Sequence, residues 1–96
     1  MAIFAQLMGS AFQSKMARDH LVSLSIGTKL QLVREPENSY DPNAIQVREQ
    51  GIMLGHIERQ TAGELAPRMD DGEKFIAKIK RVDDPKKPLL EIFSDD

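Results

Sequence analysis

The stretch Leu32-Val33-Arg34-Glu35-Pro36-Glu37-Asn38-Ser39-Tyr40-Asp41-Pro42-Asn43-Ala44-Ile45-Gln46-Val47 decides how this chain is read. Just before and within it, Leu30 and Leu32 alternate with Gln31, the period-two pattern of a half-buried strand. At its far end Ile45 and Val47 face inward and Gln46 and Arg48 outward in the same way. Between these runs, Glu35 to Asn43 is continuous turn chemistry. Its prolines cannot donate to a sheet ladder, and its Asn and Asp side chains bond their own backbone. Two strands, Lys29 to Arg34 and Ala44 to Arg48, joined by a long loop are therefore expected.

Downstream, a turn around Gln50-Gly51 leads into Ile52 to Ile57, which predicts a hairpin. Thr61-Ala62-Gly63-Glu64 matches a capping box, in which Thr and Glu satisfy orphan amides at a helix start. Pro67 lacks an amide and crowds the preceding turn, so this helix is expected to be short. After Gly72, Lys74 to Val82 reads as a strand with Phe75, Ala77 and Ile79 inward and Lys74, Lys78 and Lys80 outward. Ile76 breaks that alternation and implies partial cover of the outer face. The lysines fit either a phosphate-tracking stripe or an ordinary soluble strand face. Pro85 and Pro88 frame a loop, and Leu89 to Phe93 closes the sheet. Upstream, Ile3 to Met8 is the first strand. Residues 14–26 carry two readings: Met16, Ala17, Leu21 and Leu24 suit one helix face, while Leu21-Val22-Ser23-Leu24 suits a short strand. The chain is thus mainly β (α+β), with the short-strand pattern of a small barrel or sandwich.

A length of 96 residues fits one domain, residues 1–96, since domains usually hold roughly 100–150. With no cysteine there is neither a disulfide nor a thiolate metal site. The apolar start, Met1 to Met8, has no basic leader and stops at Gly9-Ser10, far short of the ~20 residues of a membrane span. A cytoplasmic protein without membrane contact is expected. The net charge of -2 argues mildly against a nucleic-acid partner. Screening confines charge effects to roughly 8–10 Å, however, so the distribution matters more than the sum.

No active site stands out. Neither His20 nor His56 lies in a metal-binding spacing, and there is no nucleophile elbow or phosphate-binding glycine loop. The pairs Asp70-Asp71, Asp83-Asp84 and Asp95-Asp96 sit where adjacent aspartates are usually solvated turn residues. No catalytic residue, metal or cofactor is expected, and the chain reads as a non-enzyme.

The opening stretch resembles the signature of the HIRAN domain, approximately L-x-R-E/D-P-x-N-x-Y-D-x-N-A-I-x-V. Leu54-Gly55-His56-Ile57 and Ala62-Gly63-Glu64-Leu65-Ala66-Pro67 resemble the family's G-H-I/L strand and the helix after it. The resemblance covers Gly27 to Gly72 well and the ends loosely. It implies an OB-like barrel of about six strands with one or two short helices, of the kind found in fork-remodelling helicase-like proteins and in standalone bacterial and phage proteins. It also implies capture of single-stranded DNA by a free 3′ end, in DNA repair or fork processing beside a helicase or other DNA-processing protein. On that resemblance Asp41 accepts the terminal hydroxyl and Tyr40 stacks on the terminal base. Asn38 positions the loop or touches the terminal nucleotide, His56 and Arg59 approach phosphates, and Phe12 supplies a second ring.

Read without the resemblance, each residue has a plainer role. Tyr40 plugs the barrel, Asp41 makes an Asx-turn, His56 is structural, Arg59 is a surface charge and Phe12 is core. Two departures weigh against DNA: Ala11 stands where some members carry a basic residue, and Glu37 where a neutral amide would approach a nucleotide more easily. They favour an alternative, a protein-interaction module that kept the barrel and lost DNA binding.

Overall fold

Gln50 and Gly51 both adopt positive φ, 49° and 81°. This is type I′ geometry, whose twist matches that of the strands it joins, and it closes the expected hairpin. The computed structural model describes residues 2–95. Met1 and Asp96, the second member of the last acidic pair, lie outside them. The described residues form β1 (Ile3–Met8), a 3-10 turn (Ser10–Phe12), α1 (Lys15–Ser23), β2 (Lys29–Arg34), β3 (Ile45–Glu49), β4 (Ile52–Ile57), α2 (Arg59–Asp70), β5 (Phe75–Arg81) and β6 (Leu89–Ser94).

The six strands close into an antiparallel barrel in the order β1-β4-β3-β2-β5-β6. The inward positions of the alternation, among them Leu30, Ile45, Val47, Ala77, Ile79, Leu90 and Ile92, form its buried interior. The helices add Leu21 from α1 and Ala62 and Leu65 from α2 to the same cluster. Each fully buried Leu or Ile there contributes about 1.5–3 kcal/mol. At Gly55, φ is 154° and a Cβ would overlap the Met8 carbonyl oxygen, so the end of β1 lies directly against β4.

The undecided segment is a helix. The Ser14 hydroxyl caps it by accepting from the Ala17 amide at 3.1 Å. Ala17, Leu21 and Leu24 face the barrel, but Met16 falls off that stripe and is 67% exposed. The capping box at Thr61 does not form. The helix starts at Arg59, and the buried Thr61 hydroxyl instead donates to Glu58 Oε1 at 2.8 Å. Nor does Pro67 end this helix, which runs on to Asp70. Pro67 is exposed, and the bond it forgoes would have gone to Gly63, at a position water reaches. No described helix is long and apolar enough to cross a membrane.

Candidate functional site

The long loop builds itself from side-chain oxygens. Asn38 Oδ1 accepts from the amides of Tyr40 at 2.8 Å and Asp41 at 3.1 Å. Asp41 Oδ1 accepts from the Asn43 amide at 2.9 Å, and the Ala44 amide donates to the Asp41 carbonyl at 3.0 Å. These successive turns hold the Tyr40 backbone and leave its ring 91% exposed. Tyr40 does not plug the barrel.

Two residues at the loop's entry fasten it to the rest of the molecule. Arg34 donates from Nη1 to the Ala44 carbonyl at 2.8 Å and from Nη2 to that of Pro42 at 2.9 Å. It also forms a two-pronged pair with Asp70 of α2, at 2.9 and 3.1 Å. Glu35 meets His56 Nε2 through Oε1 and the Gln46 amide through Oε2, each at 2.5 Å. Burial pushes the Glu35 carboxyl up, but hydrogen bonds from Gln46 and His56, the His56 charge and a bond from Asn38 outweigh it. The carboxyl is held below its ordinary value.

Where this loop approaches β1, β4 and the start of α2, a groove of about 290 Å³ opens. Asn38, Tyr40, Asp41, His56 and Arg59 line it together with Met8, Ala44 and Ile57. Arg59 Nε stands 3.8 Å from Asp41 Oδ2, outside hydrogen-bond range. The groove therefore combines an exposed ring, a carboxylate oxygen that no donor among the described residues meets within hydrogen-bond distance and a solvent-facing guanidinium over an apolar floor.

Five of the six expected residues come together there. Phe12 does not line the groove; it projects from the 3-10 turn, 91% exposed, and so is not core. Ala11 lines a separate pocket beside α1, and Glu37 is exposed but not part of the groove lining. Sequence reasoning missed the groove floor and gave no role to Arg34, Glu35 and Gln46. The adjacent Arg-Glu pair at a strand end was the available signal, since charges there need partners. No three His, Cys, Asp or Glu side chains among the described residues are arranged to hold a metal.

A closed barrel with two covering helices and a groove between a built loop and a strand places the molecule among OB-like binding folds. The HIRAN domain family model matches residues 2–94, and the chain belongs to that family. A crystal structure of a protein from Lactobacillus plantarum is similar, with a TM-score of 0.86 and 26% identity over 98% of this chain and 95% of that one. The crystal structure of the HIRAN domain of human HLTF aligns with a TM-score of 0.81 and 22% identity, over 97% of this chain and 74% of that one. The same human domain in its DNA-bound conformation, solved by NMR, aligns at 0.64 and 22% identity over 97% of this chain and 73% of that one.

Two plant proteins match shorter stretches. A Fanconi-associated nuclease 1 homolog from Oryza sativa subsp. japonica is 40% identical over 51% of this chain. A putative SWI/SNF-related regulator of chromatin, subfamily A member 3-like 1, from Arabidopsis thaliana is 55% identical over 41%. The alignments cover only 6% and 4% of those two proteins.

Proposed function

We propose that this chain is a non-catalytic binding module that holds single-stranded DNA by a free 3′ end in the Tyr40–Asp41 groove. The observation that carries the reading is the exposed Tyr40 ring beside Asp41. One oxygen of that carboxylate is committed to the Asn43 amide, and the other lies beyond hydrogen-bond reach of Arg59. A terminal 3′ hydroxyl donates a hydrogen bond, which Asp41 Oδ2 accepts. A continuing strand presents a phosphate there, which the same carboxylate repels. Tyr40 stacks on the last base, a contact worth about 1–3 kcal/mol and tolerant of sequence. Arg59 and the ring edge of His56 not held by Glu35 face the phosphates, and Asn38 keeps the loop in shape. Phe12, exposed on the neighbouring turn, takes a further base. Membership of the family and the DNA-bound conformation of the human domain support this reading. The two plant relatives, a nuclease homolog and a chromatin regulator, support a role beside a DNA-processing protein in repair or fork processing.

The test is a titration of fluorescent single strands ending in a 3′ hydroxyl or a 3′ phosphate. The hydroxyl end should bind more tightly, and Asp41→Ala should erase the difference. Equal affinity of the unmutated protein for both ends would sink the mechanism. Absence of binding even at low salt would favour the protein-interaction reading instead.

A further inference from the structure

The outward lysines of β5 are not used by the groove. In the closed order β1-β4-β3-β2-β5-β6, β5 lies three strands from β4 in either direction, so its outer face is on the opposite wall of the barrel. There Lys78 sits directly across from Lys29 of β2. Like charges in that position destabilise a sheet, and the neighbouring carboxylate, Glu91 on the other side of Lys78, makes no ion pair with either lysine among the described residues. None of Lys29, Lys74, Lys78 and Lys80 takes part in an ion pair among the described residues. Three carboxylates lie close by: Glu91, cross-strand from Lys78; Asp95, whose amide donates to the Lys74 carbonyl; and Glu73, which is paired with Arg68.

The same wall carries flat and apolar groups. Lys78 Nζ lies 5.1 Å from the centre of the Phe93 ring. Phe93 pairs across the sheet with Ile76, and Ile76 with Gln31. Next to that row β2 and β5 part, and a shallow trough of about 520 Å³ opens; Gln31, Val33, Ile76 and Met69 belong to its uncharged lining, with Lys74 and Arg34 as its cations and Glu73 and Asp95 as its carboxylates. Ammonium groups outside ion pairs, an aromatic ring beside one of them and an open trough wide enough for a base suit a polyanion with planar groups.

We infer that the β2–β5–β6 face is a second nucleic-acid surface, which takes the body of a single strand rather than its end. Lys29, Lys78 and Lys80 contact phosphates, while Phe93 and the trough beside Lys74 receive bases. The surface shares no residue with the groove and does not depend on end recognition.

Closed circular single-stranded DNA is the probe that separates the two surfaces, because it has no terminus. The intact chain should bind circles with an affinity that falls with salt. Lys29→Gln/Lys78→Gln should weaken that binding roughly tenfold and flatten the slope of log affinity against log salt by about 0.7 per lysine. Phe93→Leu should weaken it further at constant slope, and circular dichroism should show each variant folded. Tyr40→Ala should leave circle binding unchanged. Failure to bind circles, or loss of circle binding in Tyr40→Ala but not in the lysine variant, overturns this inference. A preserved preference for linear 3′-hydroxyl ends would leave the groove reading standing in either case.

Discussion

Asp41-Pro42-Asn43 and Asp84-Pro85-Lys86 make the same turn twice. In each, the aspartate Oδ1 accepts from the amide two residues on at 2.9 Å. In each, its carbonyl accepts from the amide three residues on at 3.0 Å. The surroundings differ. Around Asp41, Arg34 binds two loop carbonyls, Glu35 reaches His56 and Gln46, and Arg59 closes the far side. Around Asp84, the ties from outside the loop are uncharged, the Ser10 hydroxyl donating to the Lys86 carbonyl at 2.6 Å and the Leu7 amide to that of Pro88 at 3.1 Å, while Arg81 and Asp83 pair in the open. An Asp-Pro dipeptide therefore sets a turn by local chemistry. What differs is the lining: at Asp41 distant charged residues fasten the turn beside a groove that holds an exposed ring, a carboxylate and a guanidinium, whereas the pockets beside Pro85 adjoin α1.

Removing the fastening should have the largest effect. Arg34→Ala strips two loop carbonyls and Asp70 of a charged donor, and hydrogen bonds to charged groups contribute about 1.5–3 kcal/mol each. The expected outcome is a loss of about 3 kcal/mol in chemical denaturation, together with loss of DNA-end binding. Unchanged stability would show that the two turns are equally self-sufficient.

Glu35→Gln comes next, with a pH signature. The Glu35 carboxyl is lowered in the folded chain, so its contribution is fully present above the ordinary carboxylate value and is lost as pH falls through the lowered one. Thermal melts should show the intact chain losing stability over that acid range and Glu35→Gln losing less. Parallel curves would remove Glu35 from the account.

The smallest and sharpest comparison sets Asp41→Ala beside Asp84→Ala. Each deletes one side-chain acceptor of an amide, so both should cost about 0.5–1.5 kcal/mol. Only Asp41→Ala should change the preference for a 3′ hydroxyl.

Much of this was legible from the residues. Alternation found β2, β3 and β5, because a barrel wall is buried on one side only, and the turns and apolar runs around them marked out β1, β4 and β6. Residues 14–26 stayed undecided because a helix with a narrow apolar stripe and a short strand share Leu21 and Leu24. Ser14 breaks the tie with a cap that its identity allowed but did not require. Thr61 misled because β4 leads almost directly into α2, leaving the hydroxyl buried inside the first turn. At the candidate site every assignment came through the family pattern; Asn38, Tyr40 and Asp41 are neighbours in sequence, whereas His56 and Arg59 are brought in from β4 and the start of α2. The roles of Arg34 and Glu35 were hidden because their partners, Asp70 and His56, lie 36 and 21 residues away.

A ring of six strands has a consequence for the company this domain keeps. Each strand has neighbours on both sides, so a visiting chain finds only short unpaired stretches, such as the one where β2 and β5 part, rather than a full edge to extend. Such a unit can be carried inside much larger polypeptides without recruiting their strands. Whatever docks on it is read chiefly by side chains and loop rims.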